Sequence, residues 1–420
     1  MENTPVGDPS PAARLPQEVV DAIVTYLIGD TASLRTCSLI SHPWYTAAVP
    51  RLHRTLVIYI DRYKKKGDWL KLLKMGSKLG LLPFVTGLFI YGEHWGPYPS
   101  NLRRASFTPQ TTVAFSQLTN VQKLTITGLD IASFVPTIHL YFGHFSSTVR
   151  FLSLGRILGS DRQIAFFIGL FPHLENLYLY SGWYSPEKTE DDPKLVPLFV
   201  PPLRGELTID YTAAHSLATT IVDLFGGVRF HRMIFHHVGG TQPLLYGCAD
   251  ALVSLWLDVS AVCGENPSSK PTRALANHVA GSHWDLDLSR NTSLLELEIG
   301  AWSLIGALKT RAPGTIPGAF RAVLSSVRSP TFSDVTVTYR SACFYHFAYS
   351  EAGDKRAELG DEDTWYQNQF DVFREMYKAR DFRLVLWADA VGDTSMRELR
   401  RAVAAETAKG GLPPQVVIIS

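Results

Sequence analysis

Chemistry requires titratable or nucleophilic side chains at spacings that let them meet, and this sequence offers few. His236 and His237 are adjacent; on a strand, neighbours point to opposite faces, which spoils shared ligation of one metal. Asp285 and Asp287, two residues apart, could share a face, but a working carboxylate pair also needs a cleft that shifts one of their pKa values. The cysteines Cys37, Cys248, Cys263 and Cys343 are dispersed, with no CxxC and no histidine spacing that completes a zinc site. The sequence has no GxSxG elbow, no P-loop, no GxGxxG after a strand and no HExxH. The expectation is a chain without catalysis, metal or cofactor of its own.

Side chains suited to holding another molecule are easier to find. Tyr178, Tyr180 and Trp256, with His236 and Asp258 beside them, combine large rings with polar neighbours, the usual composition of interface anchors. They are the candidate substrate-binding residues. The charged stretch EKTEDDPK at 187–194 reads as a solvated loop, and Lys64-Lys65-Lys66 as another.

These residues sit on a recurring pattern. Leu-x-x-Leu-x-Leu or a close variant appears at Phe84-Val85-x-x-Leu88-x-Ile90, Val121-x-x-Leu124-x-Ile126, Val149-x-x-Leu152-x-Leu154 and Leu174-x-x-Leu177-x-Leu179. It returns at Leu203 with Leu207 and Ile209, at Met233 with Phe235, and at Leu252-x-x-Leu255-x-Leu257, Leu294-x-x-Leu297-x-Ile299 and Phe332-x-x-Val335-x-Val337. The better copies recur every 22 to 30 residues or so, close to the period of a strand-and-helix repeat in which each unit needs its neighbours to close a core. Alternation places the intervening residues on the other face: Thr125, Ser153, Tyr178, Thr208, Ile234, Trp256, Glu298 and Thr336 in one row, and Tyr180, Asp210, His236 and Asp258 in the next. Return helices are expected at Asp161 to Phe171, with Ile164, Phe167, Ile168 and Phe171 on one side, at Ala213 to Phe225 with Leu217, Ile221 and Leu224, and at Ala319 to Val327. Two insertions, 259–293 and 340–382, stretch the period. In the second, Phe370, Phe373 and Tyr377 lie at helical spacing near Trp365 and Tyr366 and are expected to pin a helix to the core. DFRLVLWAD, a helix opened by Ser395 and Glu398 and running to Ala408, and a strand Val416 to Ile419 would close the array.

The N-terminal stretch is of another kind. Pro16 opens a helix whose apolar positions are Val19, Val20, Ile23 and Leu27. Asp30 or Thr31 can cap a second, with Leu34, Cys37 and Leu39, and Ser41 a third, with Trp44, Ala47 and Ala48. A three-helix segment of about forty residues is near the size below which a domain rarely holds together without a metal, a disulfide or a partner. This one carries more apolar side chains than it can bury, so a partner is expected to cover the surplus. The run Leu15-Pro16-x-Glu18-Val19, Ile23, Leu27, Leu34, Cys37-Ser38-Leu39, Ser41, Trp44 and Leu52 resembles an F-box, the adaptor-binding motif of SCF ubiquitin ligases. The resemblance implies docking on a Skp-type adaptor, and through it on cullin and RING subunits, by Leu15, Pro16, Val19, Ile23, Leu27, Leu34, Leu39, Trp44 and Leu52. The chain after residue 55 is similar to the irregular leucine-rich-repeat domains found behind an F-box in many fungal proteins. The expected architecture is therefore α/β: a disordered tail over 1–13, an F-box over 14–55, and a leucine-rich-repeat-like solenoid, or horseshoe, over 56–420 that recognises a client protein. Alternatives are a scaffold that binds the adaptor without delivering clients, and a hydrolase or transferase on an unrecognised α/β domain.

Composition fits a folded chain: of 420 residues, 46% are hydrophobic and 19% charged, with net charge +1. That charge argues against a broad nucleic-acid-binding surface. No apolar run approaches the length of a membrane span and the N-terminus lacks an apolar signal core, so no membrane partner is expected. Dispersed cysteines suit a reducing compartment, cytoplasm or nucleus, where the acceptor sequence Asn291-Thr292-Ser293 would be idle.

Overall fold

A computed structural model describes residues 15–60, 68–92, 109–129, 131, 138–180, 202–209, 215–236, 240–258, 286–300, 323–340, 383–389, 400–401, 403–405, 407–409 and 416–419. They divide between two compact units, Met1–Gly159 with Leu170–His173, and Ser160–Gly169 with Leu174–Ser420. Both are α/β with parallel strands.

The first unit begins with three helices, α1 (Gln17–Tyr26), α2 (Thr31–Cys37) and α3 (His42–Leu52). Strand β1 (Thr55–Ile60) comes next, then α4 (Asp68–Lys78), β2 (Gly87–Gly92), α5 (Pro109–Phe115), β3 (Lys123–Thr127), α6 (Ile138–Phe142) and β4 (Phe151–Gly155). Each strand pairs in parallel with the next, so Leu56, Leu88, Leu124 and Leu152 form one row across the sheet and Ile58, Ile90, Ile126 and Leu154 another. All eight side chains are buried. Helix α4 packs on β1, and α5 lies between α4 and α6.

The second unit runs α7 (Asp161–Gly169), β5 (Asn176–Tyr180), β6 (Leu203–Ile209), α8 (His215–Leu224), β7 (Val228–Phe235), α9 (Gln242–Cys248), β8 (Ser254–Asp258), β9 (Glu296–Gly300), β10 (Asp334–Arg340), β11 (Arg383–Asp389) and β12 (Val416–Ile419). Its strands also pair in parallel and in chain order. Leu177, Leu207, Met233, Leu255, Leu297 and Val335 share one row, and Leu179, Ile209, Phe235, Leu257, Ile299 and Val337 the next. The recurring sequence pattern thus marks register partners, because residues of one type at one strand position stack from strand to strand.

The turn entering each strand repeats as well. The amides of Thr86 and Gly87 both donate to the Arg54 carbonyl at 2.8 Å, and those of Gln122 and Lys123 to Thr86 at 2.8 and 2.9 Å. In the second unit the amides of Leu295 and Glu296 donate to Val253, and those of Ser333 and Asp334 to Leu295. One departure is a bulge in the β6–β7 pairing between Gly205 and Glu206. Gly205 has φ +93°, and a Cβ there would lie 1.9 Å from the Glu175 carbonyl oxygen, so the position accepts only glycine without rearrangement.

Helix α7 matches its expected start. The Ser160 amide donates to Gln163 Oε1 at 2.9 Å and the Gln163 amide to Ser160 Oγ at 3.3 Å, a reciprocal cap that the sequence reading did not identify. Ile164, Phe167, Ile168 and Phe171 are all buried. Leu217 and Ile221 of α8 are buried, with Leu224 half-buried, and Val323, Leu324 and Val327 are buried around a helical turn at 323–326. Helices α4, α5, α6 and α9 were not anticipated. The residues expected to pin a helix at 365–377, and the capping pair Ser395 and Glu398, lie outside the described residues.

Candidate functional site

The three N-terminal helices have a complete small core: Val20, Val24, Leu34, Cys37, Trp44, Ala47 and Ala48, with Leu27 and Leu52 packed half-buried against it. Polar contacts fix the arrangement. Arg51 Nη2 donates to Thr25 Oγ1 at 2.8 Å, and Arg51 Nη1 lies 3.9 Å from Asp21 Oδ1, tying α3 to α1. Asp30 caps α2 by accepting from the Ala32 and Ser33 amides at 3.1 and 3.0 Å. The hydroxyl and amide of Ser33 hold the Asp30 carboxyl below its ordinary pKa. Ser41 stands at the N-cap of α3 but makes no cap hydrogen bond; its Oγ is buried without a partner.

This core divides the residues that the sequence grouped together. Leu34 and Trp44 are interior, so they support the surface and do not form it. Leu15, Pro16, Val19, Ile23 and Leu39 are exposed. Helix α1 in fact carries two apolar stripes. Val20 and Val24 face the core, whereas Val19, Ile23 and Tyr26 face outward. Spacing alone puts Val19, Val20, Ile23 and Leu27 on one stripe and passes over Val24, which is fully buried. The outward set is extended by Ile28, Ile40 and Tyr45, none of them anticipated. Leu39 is 86% exposed and Tyr26 91%, extreme values for large apolar side chains.

The second candidate surface is the strand face opposite the buried rows. Tyr178, Thr208, Ile234, Trp256, Glu298 and Thr336 are successive register partners across β5 to β10, as expected. Tyr178 and Tyr180 are half-buried and stacked, with centroids 5.2 Å apart and planes at 21°. His236 meets Trp256 edge to face at 4.6 Å. Three strand steps, about 14 Å, separate the tyrosine pair from Trp256, so these are two anchor points on one face and not one pocket. Asp258 occupies the β8 position opposite Gly300; Asp210 and His237 lie outside the described residues. Glu206 pairs with Arg232 at 3.6 Å, and Asp334 with Arg383 at 2.6 Å, in the row before.

Thr125 and Ser153 depart from expectation. They hold the intended register positions in the first unit but are buried. Thr125 is the partner of Phe89, and Ser153 stands two residues beyond Phe151. Lys123 Nζ sits over both rings, 5.7 and 4.6 Å from their centroids, so larger neighbours overshadow the two small side chains. The same sheet carries aromatic surface that sequence reading passed over: Tyr59 and Tyr91, register partners, stack with centroids 5.3 Å apart.

Of the groups first considered for chemistry, Asp287 is hydrogen-bonded and Cys248 is buried, and Cys263 and Cys343 lie outside the described residues. The Ser289 amide donates to Asp287 Oδ1 at 2.8 Å and the Tyr246 hydroxyl to Asp287 Oδ2 at 3.0 Å, while Arg290 lies over the Tyr246 ring at 4.7 Å. Hydrogen bonds from Ser289 hold the Asp287 carboxyl below its usual range, and burial with the Asp287 contact raises the Tyr246 phenol. Asp285 lies outside the described residues. Asn291 is buried and donates its amide to the carbonyls of Leu245 and Ala249 at 2.9 and 3.3 Å, which closes the end of α9 and leaves no acceptor for a glycan. Burial pushes the Cys248 thiol up to about 12. Among the described residues no cluster of His, Cys, Asp or Glu could hold a metal ion, and no helix is long and apolar enough to cross a membrane. The chain matches no protein-family model and no curated protein.

Proposed function

We propose that this chain is the substrate-recognition subunit of an SCF-type ubiquitin ligase. In this reading the three N-terminal helices dock on a Skp-type adaptor, which joins the cullin and RING subunits, and the strand face of a leucine-rich-repeat-like domain holds a client protein. Its contribution is proximity between client and ubiquitin carrier, with no bond chemistry of its own.

The observation that carries this reading is the outward stripe of Val19 and Ile23, with Leu15 and Leu39, on helices whose core is already filled by other residues. Full burial of an apolar side chain is worth roughly 1.5–3 kcal/mol, and a docking partner recovers the share of it that the still-exposed surface represents. In-order parallel strands and the recurring turn bonds support the repeat-domain half.

The test is binding of the purified chain to a Skp-type adaptor. Val19→Glu/Ile23→Glu should weaken binding at least about 100-fold, since two anchors are lost, while leaving the melting temperature near that of the parent. An unmodified chain that ignores the adaptor, or a double variant that binds it undiminished, overturns the reading.

A further inference from the structure

Helix α4 has an outer surface that the fold does not explain. Within DWLKLLKMGSK, Leu73 is fully buried and Gly76 and Ser77 are half-buried, so this side packs on its own unit. A Cβ at Gly76 would come 2.9 Å from Leu82, which shows how close that packing is. The other side carries two stripes, each at i, i+3 and i+7. Lys71, Lys74 and Lys78 form one and are all exposed. Leu72, Met75 and Leu79 form the other and are 42, 58 and 63% exposed. The stripes lie about 100° apart around the axis.

Leu79 belongs to the stripe although it comes after the last helical residue. Its amide donates to the Met75 carbonyl at 3.0 Å, and the turn closes only at Gly80 (φ +64°), where the Leu81 amide reaches Gly76 at 2.8 Å. Asp68 is the one acid in the helix, and Lys64-Lys65-Lys66 precede it in the sequence. Six lysines within fifteen residues of a chain whose net charge is +1 are a local concentration. On the neighbouring helices α5 and α6, Val113 and Leu140 are also exposed.

We propose that this face of α4 docks peripherally on an anionic phospholipid bilayer. Leu72, Met75 and Leu79 enter the boundary between headgroups and acyl chains, and the lysines meet the anionic headgroups beside them. A bilayer suits a convex single helix because it needs no complementary groove. Nucleic acid would use the lysines but leave the apolar stripe in water. The helix has 11 residues, against about 20 for a crossing, so it lies on the membrane. The expectation of no membrane partner rested on the lack of a span, which an interfacial helix does not need. The proposal is independent of the adaptor reading, since it uses none of α1 to α3.

The test is co-sedimentation of the full chain with phosphatidylcholine vesicles with and without phosphatidylserine, combined with hydrogen exchange. The parent chain should sediment only with phosphatidylserine vesicles, with new protection at residues 68–79. Lys71→Gln/Lys74→Gln/Lys78→Gln should lower the partition coefficient about a hundredfold, at about fivefold per lysine. Leu72→Ser/Met75→Ser/Leu79→Ser should abolish sedimentation with a smaller fall in melting temperature than a Leu73→Ala variant shows, because each of the three side chains is 42% or more exposed whereas Leu73 is fully buried. A parent chain that stays in the supernatant with phosphatidylserine vesicles overturns the proposal, as does protection that falls on α1, or a lysine variant that sediments like the parent. Binding only to an acidic protein surface, with none to vesicles, also overturns it.

Discussion

Trp44 and Ile23 are both large and apolar, both in the N-terminal helices, and opposite in what their loss should do. Trp44 is interior, so Trp44→Ala leaves a cavity and should destabilise the helices by about 3–5 kcal/mol, read by denaturant titration followed by helical circular dichroism. Ile23 is 38% exposed and outside the core, and Ile23→Ala should cost no more than about 1 kcal/mol in the same measurement. An Ile23→Ala loss as large as that of Trp44→Ala would mean that the outer stripe of α1 is buried in solution. Cys248 gives a second residue-scale expectation. With its thiol pushed up to about 12 by burial, it stays protonated at neutral and mildly alkaline pH. Iodoacetamide at pH 8 should therefore modify Cys248 only after denaturant is added, as read by peptide mass spectrometry.

At the scale of elements, the strands were the most legible part of the chain. Alternating apolar residues at Leu88 and Ile90, Leu124 and Ile126, or Leu255 and Leu257 become register partners because each strand buries one face and period-two alternation leaves no choice of which residues go in. Helices were less legible. Helix α7, with four buried apolar residues on one side, was placed from its periodicity, whereas α4 carries most of its regularly spaced apolar residues on an exposed stripe and α5 is only seven residues long. The bulge at Gly205 left no clear mark in the sequence, since a glycine inside a strand has several explanations. It supplies an element-scale prediction. Gly205→Ala places an L-residue at φ +93° and a methyl 1.9 Å from the Glu175 carbonyl oxygen. The conformational penalty alone is about 1–2 kcal/mol. A fall in stability at least that large is expected in denaturant titration, and an unchanged midpoint would mean that the bulge is not present in solution.

For the molecule as a whole, the proposed adaptor face and the proposed client face use different residues and should be separable by mutation. Trp256→Ala combined with Tyr178→Ala removes one ring from each of the two anchor points on the strand face. Affinity purification of that variant should retain the adaptor and lose clients, whereas Val19→Glu/Ile23→Glu should lose the adaptor and retain clients. A Trp256→Ala/Tyr178→Ala variant that keeps every captured client would remove the strand face from the proposal.

What the sequence by itself determined is the order of the three short N-terminal helices and of the apolar strands that recur after them until Val416–Ile419. Local spacing is enough for that, because the helical and strand periods differ and each strand has one apolar face. Only the tertiary structure decided which surfaces remain open. Both stripes of α1 are apolar, and locally nothing distinguishes Val20 and Val24 from Val19 and Ile23; the choice is made by α2 and α3 and by the reach of Arg51 to Thr25 and Asp21. The burial of Thr125 and Ser153 depends likewise on Phe89 and Phe151, which stand next to them through register and alternation, and on Lys123 lying over both rings. Spacing determines which residues share a side of an element, but exposure depends on the height and position of neighbours distant in the chain.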